Sequence, residues 1–305
     1  MTWLAVLLAV SSAFLFAMAA VAQQREAAAT EGKGVALMLS LIRNPRWLAG
    51  VAGDTGGYIF QAAALAVGSL LVVQPLLVLS LLFALPLAAR WNQRPIARSE
   101  LVWAGVLCVA LGVFMVAGDP DGGVDVARFG KWVAPLVVCG VLVVGATLAM
   151  IAGRGRLRVV GMSVASGTLF GLASALTKSV MNHLGAGLEP LLTSWETYAL
   201  VACGGVGLTL QQMAYQAGSL EISLPAITVL DPIVSSMLGI WALSERVQAE
   251  GVEWVLIGLS VTAMVAGTAV LARAGVPTQP TGTEAGSAPP SPPPTAARTG
   301  RDRRS

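Results

Sequence analysis

Residues 62–87 read AAALAVGSLLVVQPLLVLSLLFALPL, and this stretch contains no charged residue. A helix needs about 20 apolar residues to cross the hydrocarbon core of a bilayer. Gly68 and Ser69 divide the stretch into the end of one apolar run and the beginning of the next. The stretch therefore predicts a helical hairpin inside a membrane, with a tight turn at Gly68.

The composition of the whole chain favours the same environment. Hydrophobic residues make up 55% of the 305 residues and charged residues 11%, and the mean hydropathy is +0.74. An average soluble protein is about 25% charged, so we expect no soluble catalytic domain. The basic residues are scattered among loops, which is not typical of nucleic-acid binding. The three cysteines lie in apolar runs without CxxC spacing, so we expect no disulfide, metal site or cofactor.

Apolar runs of sufficient length predict an all-α membrane protein with about nine transmembrane helices. The predicted spans are 2–22, 47–68, 71–89, 101–118, 132–152, 159–182, 195–216, 222–243 and 254–272. The shorter apolar segment 34–44 predicts an interfacial helix that ends at Pro45. Residues 275–305 are rich in Pro and Arg and predict a disordered basic tail.

Lys and Arg in the loops indicate the orientation, since cytoplasmic loops carry an excess of both. With the amino terminus outside, fifteen Lys and Arg residues fall in cytoplasmic segments and three in outer loops. The three are Arg128, Lys131 and Arg246. We therefore expect an exterior amino terminus and a cytoplasmic tail, in the cell membrane.

The sequence repeats itself. A shift of 150 residues gives eleven identities over residues 47–91. The informative pairs among them are Gln61/Gln211, Pro75/Pro225 and Trp91/Trp241. A shift of 154 aligns the first span with the sixth, and pairs Ser12/Ser166, Leu15/Leu169, Phe16/Phe170 and Ala19/Ala173. A cleaved signal peptide would have no reason to resemble the sixth span, so we expect the first span to be retained.

The predicted transmembrane domain, residues 1–274, therefore contains two four-helix units. They are residues 1–118 and 159–272, and helix 132–152 connects them. A single connecting span turns the second unit upside down in the membrane. Inverted repeats of this kind are typical of secondary transporters, whose substrate sites lie near the midplane between the repeats.

Residues 211–247, QQMAYQAGSLEISLPAITVLDPIVSSMLGIWALSERV, carry a family resemblance. They resemble the second-repeat hairpin of the drug/metabolite transporter superfamily, in its EamA-like branch, and residues 62–87 resemble the same hairpin. The resemblance implies a transporter fold over most of residues 1–272. The count of nine spans is closest to the NIPA-type magnesium-transporter-like branch. Where that branch has an acidic residue, this chain has Tyr58, with Asp54 one turn earlier, so magnesium transport does not simply carry over.

Two acidic residues lie deep within predicted spans. Asp54 lies roughly 10 Å and Asp231 roughly 13 Å from the start of its span, at 1.5 Å per residue. A charge at the centre of a membrane helix costs about 2.5–3.5 kcal/mol and usually marks a pathway. Both are candidates for binding a cation or a coupling proton; the alternative is a protonated carboxyl bonded to a neighbouring helix. Thr228 and Ser235 share the helical face of Asp231 and extend its polarity.

Further polar residues are candidates for the lining of the pathway. Gln61 and Gln211 are equivalent in the two units, and Tyr58 and Tyr215 share their helical faces; hydrogen bonds between helices are the alternative role. For Lys178 the default expectation is a side chain that reaches to the membrane surface, and the alternative is a counter-ion. Glu245 ends a span, and we expect it to be solvated.

These features favour a secondary transporter of a small solute that works by alternating access, with or without proton coupling. A divalent-cation (magnesium) carrier or channel and a non-transporting membrane scaffold are the alternatives. No motif of an intramembrane enzyme is evident, so we do not expect an enzyme. The expected partners are the lipid bilayer and the transported solute or ion, and a homodimer is an open possibility.

Overall fold

The structure is a computed structural model that describes residues 3–29, 43–91, 93, 95–118, 120–121, 123–124, 126–216 and 220–274. Its helices are α1 (Trp3–Ala29), α2 (Pro45–Val67), α3 (Leu70–Leu77), α4 (Leu79–Trp91), α5 (Arg98–Gly118), α6 (Phe129–Ala152), α7 (Arg156–Ala186), α8 (Leu188–Thr193), α9 (Trp195–Gln216), α10 (Leu220–Trp241) and α11 (Glu253–Ala274). The strands β1 (Pro120–Asp121) and β2 (Arg246–Val247) are two residues each. The part of the chain that the structure describes is thus mostly helical, as predicted.

Six helical stretches of the described residues are long and apolar enough to cross a membrane. They are Trp3–Ala22, Leu70–Trp91, Arg98–Gly118, Phe129–Ala152, Arg156–Ala186 and Glu253–Arg273. The chain is therefore a multi-pass membrane protein. The long helices outside this set, α2, α9 and α10, are those that carry the candidate polar residues. Each lies where a span was predicted, and the count of nine spans stays a prediction.

Local sequence explains where α2 begins and where α3 ends. The side-chain oxygen of Asn44 accepts a hydrogen bond from the N–H of Arg46 at 2.9 Å, and Pro45 occupies the first helical position, an arrangement that favours a helix start. Pro45 thus begins α2. The predicted span 71–89 is interrupted at Val78, whose N–H donates to the Pro75 backbone oxygen at 3.2 Å, three residues earlier instead of four. The predicted tail 275–305 and most of segment 34–44 lie outside the described residues.

Helix α1 packs against α2 and against α3 and α4, and α7 packs in the same way against α9 and α10. One hydrogen bond recurs in both sets. The Ser12 hydroxyl donates to the backbone oxygen of Gly57 at 2.7 Å, and the Ser166 hydroxyl donates to that of Gly207 at 2.8 Å. These four residues are equivalent in pairs under the shifts that the sequence shows.

Two pairs of helices from the two predicted units meet with the start of one beside the end of the other. Leu70 at the start of α3 lies beside Gly239 near the end of α10, and a Cβ on Gly239 would be 3.2 Å from the Leu70 Cβ. Helices α5 and α11 are also antiparallel, since Gly267 faces Leu107 while Gly118 faces Ile257. Strands β1 and β2 join the loops that follow α5 and α10.

Candidate functional site

A chain of polar side chains crosses the interior of the bundle between α2, α7 and α10. Gln61 on α2 donates through Nε2 to the Ser174 Oγ on α7 at 3.4 Å. The Ser174 hydroxyl donates in turn to the Asp231 Oδ1 on α10, also at 3.4 Å. Gln61 and Ser174 are buried and Asp231 is half-buried. Gln61 and Asp231 are thus brought together through Ser174, which the sequence analysis did not single out.

Two glycines allow α7 and α10 to approach closely enough for this chain to form. A Cβ on Gly167 would lie 2.9 Å from the Leu230 Cβ, and one on Gly171 would lie 2.8 Å from the Asp231 backbone oxygen. Both glycines therefore serve the close packing of α7 against α10. Ser174 follows Gly171 by three residues and shares its face of α7, so its hydroxyl reaches the Asp231 carboxylate.

The predicted polar stripe on α10 is only partly available to a solute. Ser235 is fully buried and donates its hydroxyl to the Asp231 backbone oxygen at 2.8 Å. Its hydroxyl is therefore occupied by its own helix. Thr228 lies one turn before Asp231 and is half-buried. Because Pro232 lacks an N–H, the Thr228 carbonyl loses its usual helical donor.

Helix α2 places Asp54 and Tyr58 near the same region. Tyr58 lies within electrostatic reach of both Asp54 and Asp231. Its ring packs edge-on against Phe16, with ring centroids 5.4 Å apart. Asp54 is half-buried. Tyr58 is itself exposed and lies one helical turn before Gln61 on α2.

The remaining pathway candidates lie on α9, which packs against α7 around Gly207. A Cβ on Gly207 would be 3.3 Å from the Phe170 ring. Gln211, one turn further along, is half-buried. Tyr215 lies near the end of the same helix, and its side chain is outside the described residues. That Gln211 lines a common cavity with Gln61 stays a prediction.

Lys178 and Glu245 form an ion pair inside the protein. The Lys178 Nζ lies 2.7 Å from the Glu245 Oε1, and the residues are 2% and 1% exposed. The expectations of a Lys178 side chain that reaches the membrane surface and of a solvated Glu245 are therefore wrong. The physical reason lies at the start of α3, which faces Glu245. The first N–H groups of a helix lack partners within that helix. Leu70 and Leu71 donate those N–H groups to the Glu245 carboxylate, at 2.8 Å and 3.1 Å.

Two other features bear on the chemistry of the bundle. Within the residues that the structure describes, no group of three His, Cys, Asp or Glu side chains is placed to hold a metal ion. A groove of about 250 Å³ between α6 and α7 is lined by apolar residues and glycines, among them Val141, Ala149 and Val164. Those side chains offer a polar solute no partner, so the groove is not a candidate site.

Comparison with known proteins places the chain in a family. No family model and no solved structure matches it. It is similar to an uncharacterized protein of Corynebacterium glutamicum, with 35% identity over 288 residues. The match covers 92% of this chain and 98% of the relative, so the likeness extends over the helical bundle rather than over one motif. The chain therefore belongs to the same family as this Corynebacterium protein.

Proposed function

We propose that the protein is a secondary transporter that moves a small solute across the cell membrane by alternating access. The observation that carries the proposal is the hydrogen-bonded chain from Gln61 through Ser174 to Asp231. It joins one helix of residues 1–118 to two helices of residues 159–272, within a mostly apolar bundle. Transporters built from two repeats hold their substrates and coupling ions in such a position.

We also propose an inverted arrangement of the two units, which is typical of secondary transporters. Helices α3 and α10 are equivalent in sequence, and the start of α3 lies beside the end of α10. A rotation about the membrane normal would instead leave both starts at the same surface. The matched hydrogen bonds of Ser12 and Ser166 add a second, local sign of equivalence. The resemblance of residues 62–87 and 211–247 to the EamA-like hairpin favours the same class.

Asp231 is the residue that we assign to coupling. A charged carboxylate in a low-dielectric interior is costly, so Asp231 favours a bound proton or cation. In the transport cycle Asp231 holds this proton or cation in one conformation and releases it in another. Ser174 and Gln61 orient the carboxylate, and Tyr58 lies within electrostatic reach of it. The amino terminus is assigned to the outside, on the distribution of Lys and Arg.

The test begins with a screen of metabolites and metal ions, magnesium included, in a deletion strain. Uptake of the solute found is then measured in vesicles that contain the wild type, Asp231→Asn or Glu189→Gln. Glu189 is exposed on α8 and serves as the matched control. We expect Asp231→Asn alone to abolish coupled transport or to change its pH dependence, with unchanged membrane expression. Wild-type transport by Asp231→Asn at every pH would remove the proposal.

A further inference from the structure

One end of the bundle is closed by a buried carboxylate that three donors share. The Glu245 carboxylate accepts hydrogen bonds from the Lys178 ammonium at 2.7 Å and from the N–H groups of Leu70 and Leu71 at 2.8 Å and 3.1 Å. The N–H groups belong to the first turn of α3, where the helix dipole also favours a negative charge. Glu245 thus holds α3, of the first unit, to α7, of the second.

The contact of Glu245 with Lys178 and α3 lies one helical turn from the hydrogen-bonded side chains Gln61, Ser174 and Asp231. Lys178 follows Ser174 by four residues on α7, so both lie on one helical face, about 6 Å apart along the axis. Ser174 is the central member of the chain that contains Asp231. A solute that approached Asp231 along this face of α7 would therefore pass Lys178 and Glu245.

Two buried polar groups near the contact lack partners. Gln74, one turn after Leu70 on α3, has an Nε2 without a hydrogen bond, and Ser179, next to Lys178, has an unbonded hydroxyl. Both residues are 1% exposed or less. Buried polar groups nearly always have partners, so an arrangement that brings water to these two groups would satisfy them.

We propose that Lys178, Glu245 and the first turn of α3 form a gate that closes this end of the pathway, and that α3 moves away from Glu245 when the gate opens. The inference rests on the transport function proposed above. Helix α3 ends just before Val78, after eight residues, and we place the hinge of this movement at Val78, so that opening exposes Gln74 to water.

The gate is tested by the reactivity of a cysteine at position 74. Cys108, Cys139 and Cys203 are first replaced by Ala, and Gln74→Cys is then treated with a membrane-impermeant maleimide. We expect the maleimide to label the cysteine at position 74 slowly when Lys178 and Glu245 are both present. With Lys178→Met and Glu245→Gln together, we expect labelling from one side of the membrane only, at a rate higher by about ten-fold or more, as for a comparable shift in population.

Two controls separate a gate from a packing contact. Glu196→Gln neutralises another buried carboxylate, on α9, which lies 3.6 Å from His183, and we expect it to leave the labelling unchanged. Gly239→Ala keeps both charges but places a methyl group 2.6 Å from the Glu245 Oε2, and we expect it to raise the rate. Its own control is Gly258→Ala, where the methyl group meets nothing within 4 Å.

The outcomes decide between the alternatives. Unchanged labelling in the neutral pair and in Gly239→Ala, with both proteins folded by gel filtration, overturns the gate and leaves a packing contact. Labelling from both sides also overturns it, since that indicates local unfolding. The measurement needs no solute. Faster one-sided labelling therefore supports the gate even if Asp231→Asn transports normally, a result that removes the assigned role of Asp231 alone.

Discussion

Gly171 lies so close to Asp231 that a methyl group on the glycine would come within 2.8 Å of the Asp231 backbone oxygen. The methyl group would meet the backbone of α10 rather than the end of a side chain, so α7 or α10 would have to shift to admit the methyl group. Such a shift would also separate Ser174 from the Asp231 carboxylate. The packing of two helices and the geometry of the candidate site therefore depend on the same residue.

Gly171→Ala is predicted to lower the free energy of unfolding by about 1–3 kcal/mol, the usual cost of overpacking. The measurement is denaturant unfolding in detergent. Gly205→Ala is the matched control, because a Cβ there meets nothing within 4 Å and alanine favours a helix by about 0.8–1 kcal/mol over glycine. Equal effects of the two substitutions would contradict the close approach of α7 and α10.

Ser12→Ala and Ser166→Ala are predicted to destabilise the protein equally. Each removes one hydrogen bond between helices, to Gly57 or Gly207, and such bonds contribute about 0.6 kcal/mol on average in membrane proteins. The double variant should lose the sum of the two effects, since the bonds share no partner. A large effect at one serine and none at the other would argue against equivalent units.

Neutralising one member of the buried ion pair is predicted to lower the free energy of unfolding more than neutralising both members. Lys178→Met alone leaves the Glu245 carboxylate with only backbone donors, and we expect a loss of about 3–5 kcal/mol in the free energy of unfolding. The variant with Glu245→Gln added should recover much of that loss. Additive losses in the double variant would show that the two side chains do not stabilise each other.

The direction of the chain across the membrane is tested by reporter fusions. Fusions after Gly122 and after Gly155 flank α6, and we expect them to report the outside and the cytoplasm, respectively. If both report the same side, α6 does not cross the membrane and the connecting role assigned to it is lost. The control is a fusion after Arg273, which should agree with the one after Gly155.

The sequence predicts helices better than it predicts the contacts between them. Apolar runs separated by charged loops locate the helices, because the bilayer imposes a length and forbids unpaired backbone groups. Gln61 and Asp231 could be singled out because polar groups are rare in such runs. Ser174 could not, since serines occur throughout α7 and a single serine gives no signal of what it faces.

Glu245 marks a second limit of sequence reasoning. A glutamate that follows a helix is ordinarily solvated, and nothing near it in the sequence indicates the free N–H groups of Leu70 and Leu71. Lys178 is 67 residues away and Leu70 is 175 residues away. A pairing over such distances depends on how the two units dock, and the hydropathy pattern of each helix carries no information on docking.

The same separation has a consequence for biosynthesis. At about 5–20 residues per second, Glu245 leaves the ribosome some 10–35 s after Leu70, since the two are 175 residues apart. During that interval the first turn of α3 has no carboxylate to accept its N–H groups. The contact between α3 and Glu245 can therefore form only after α10 has been synthesised.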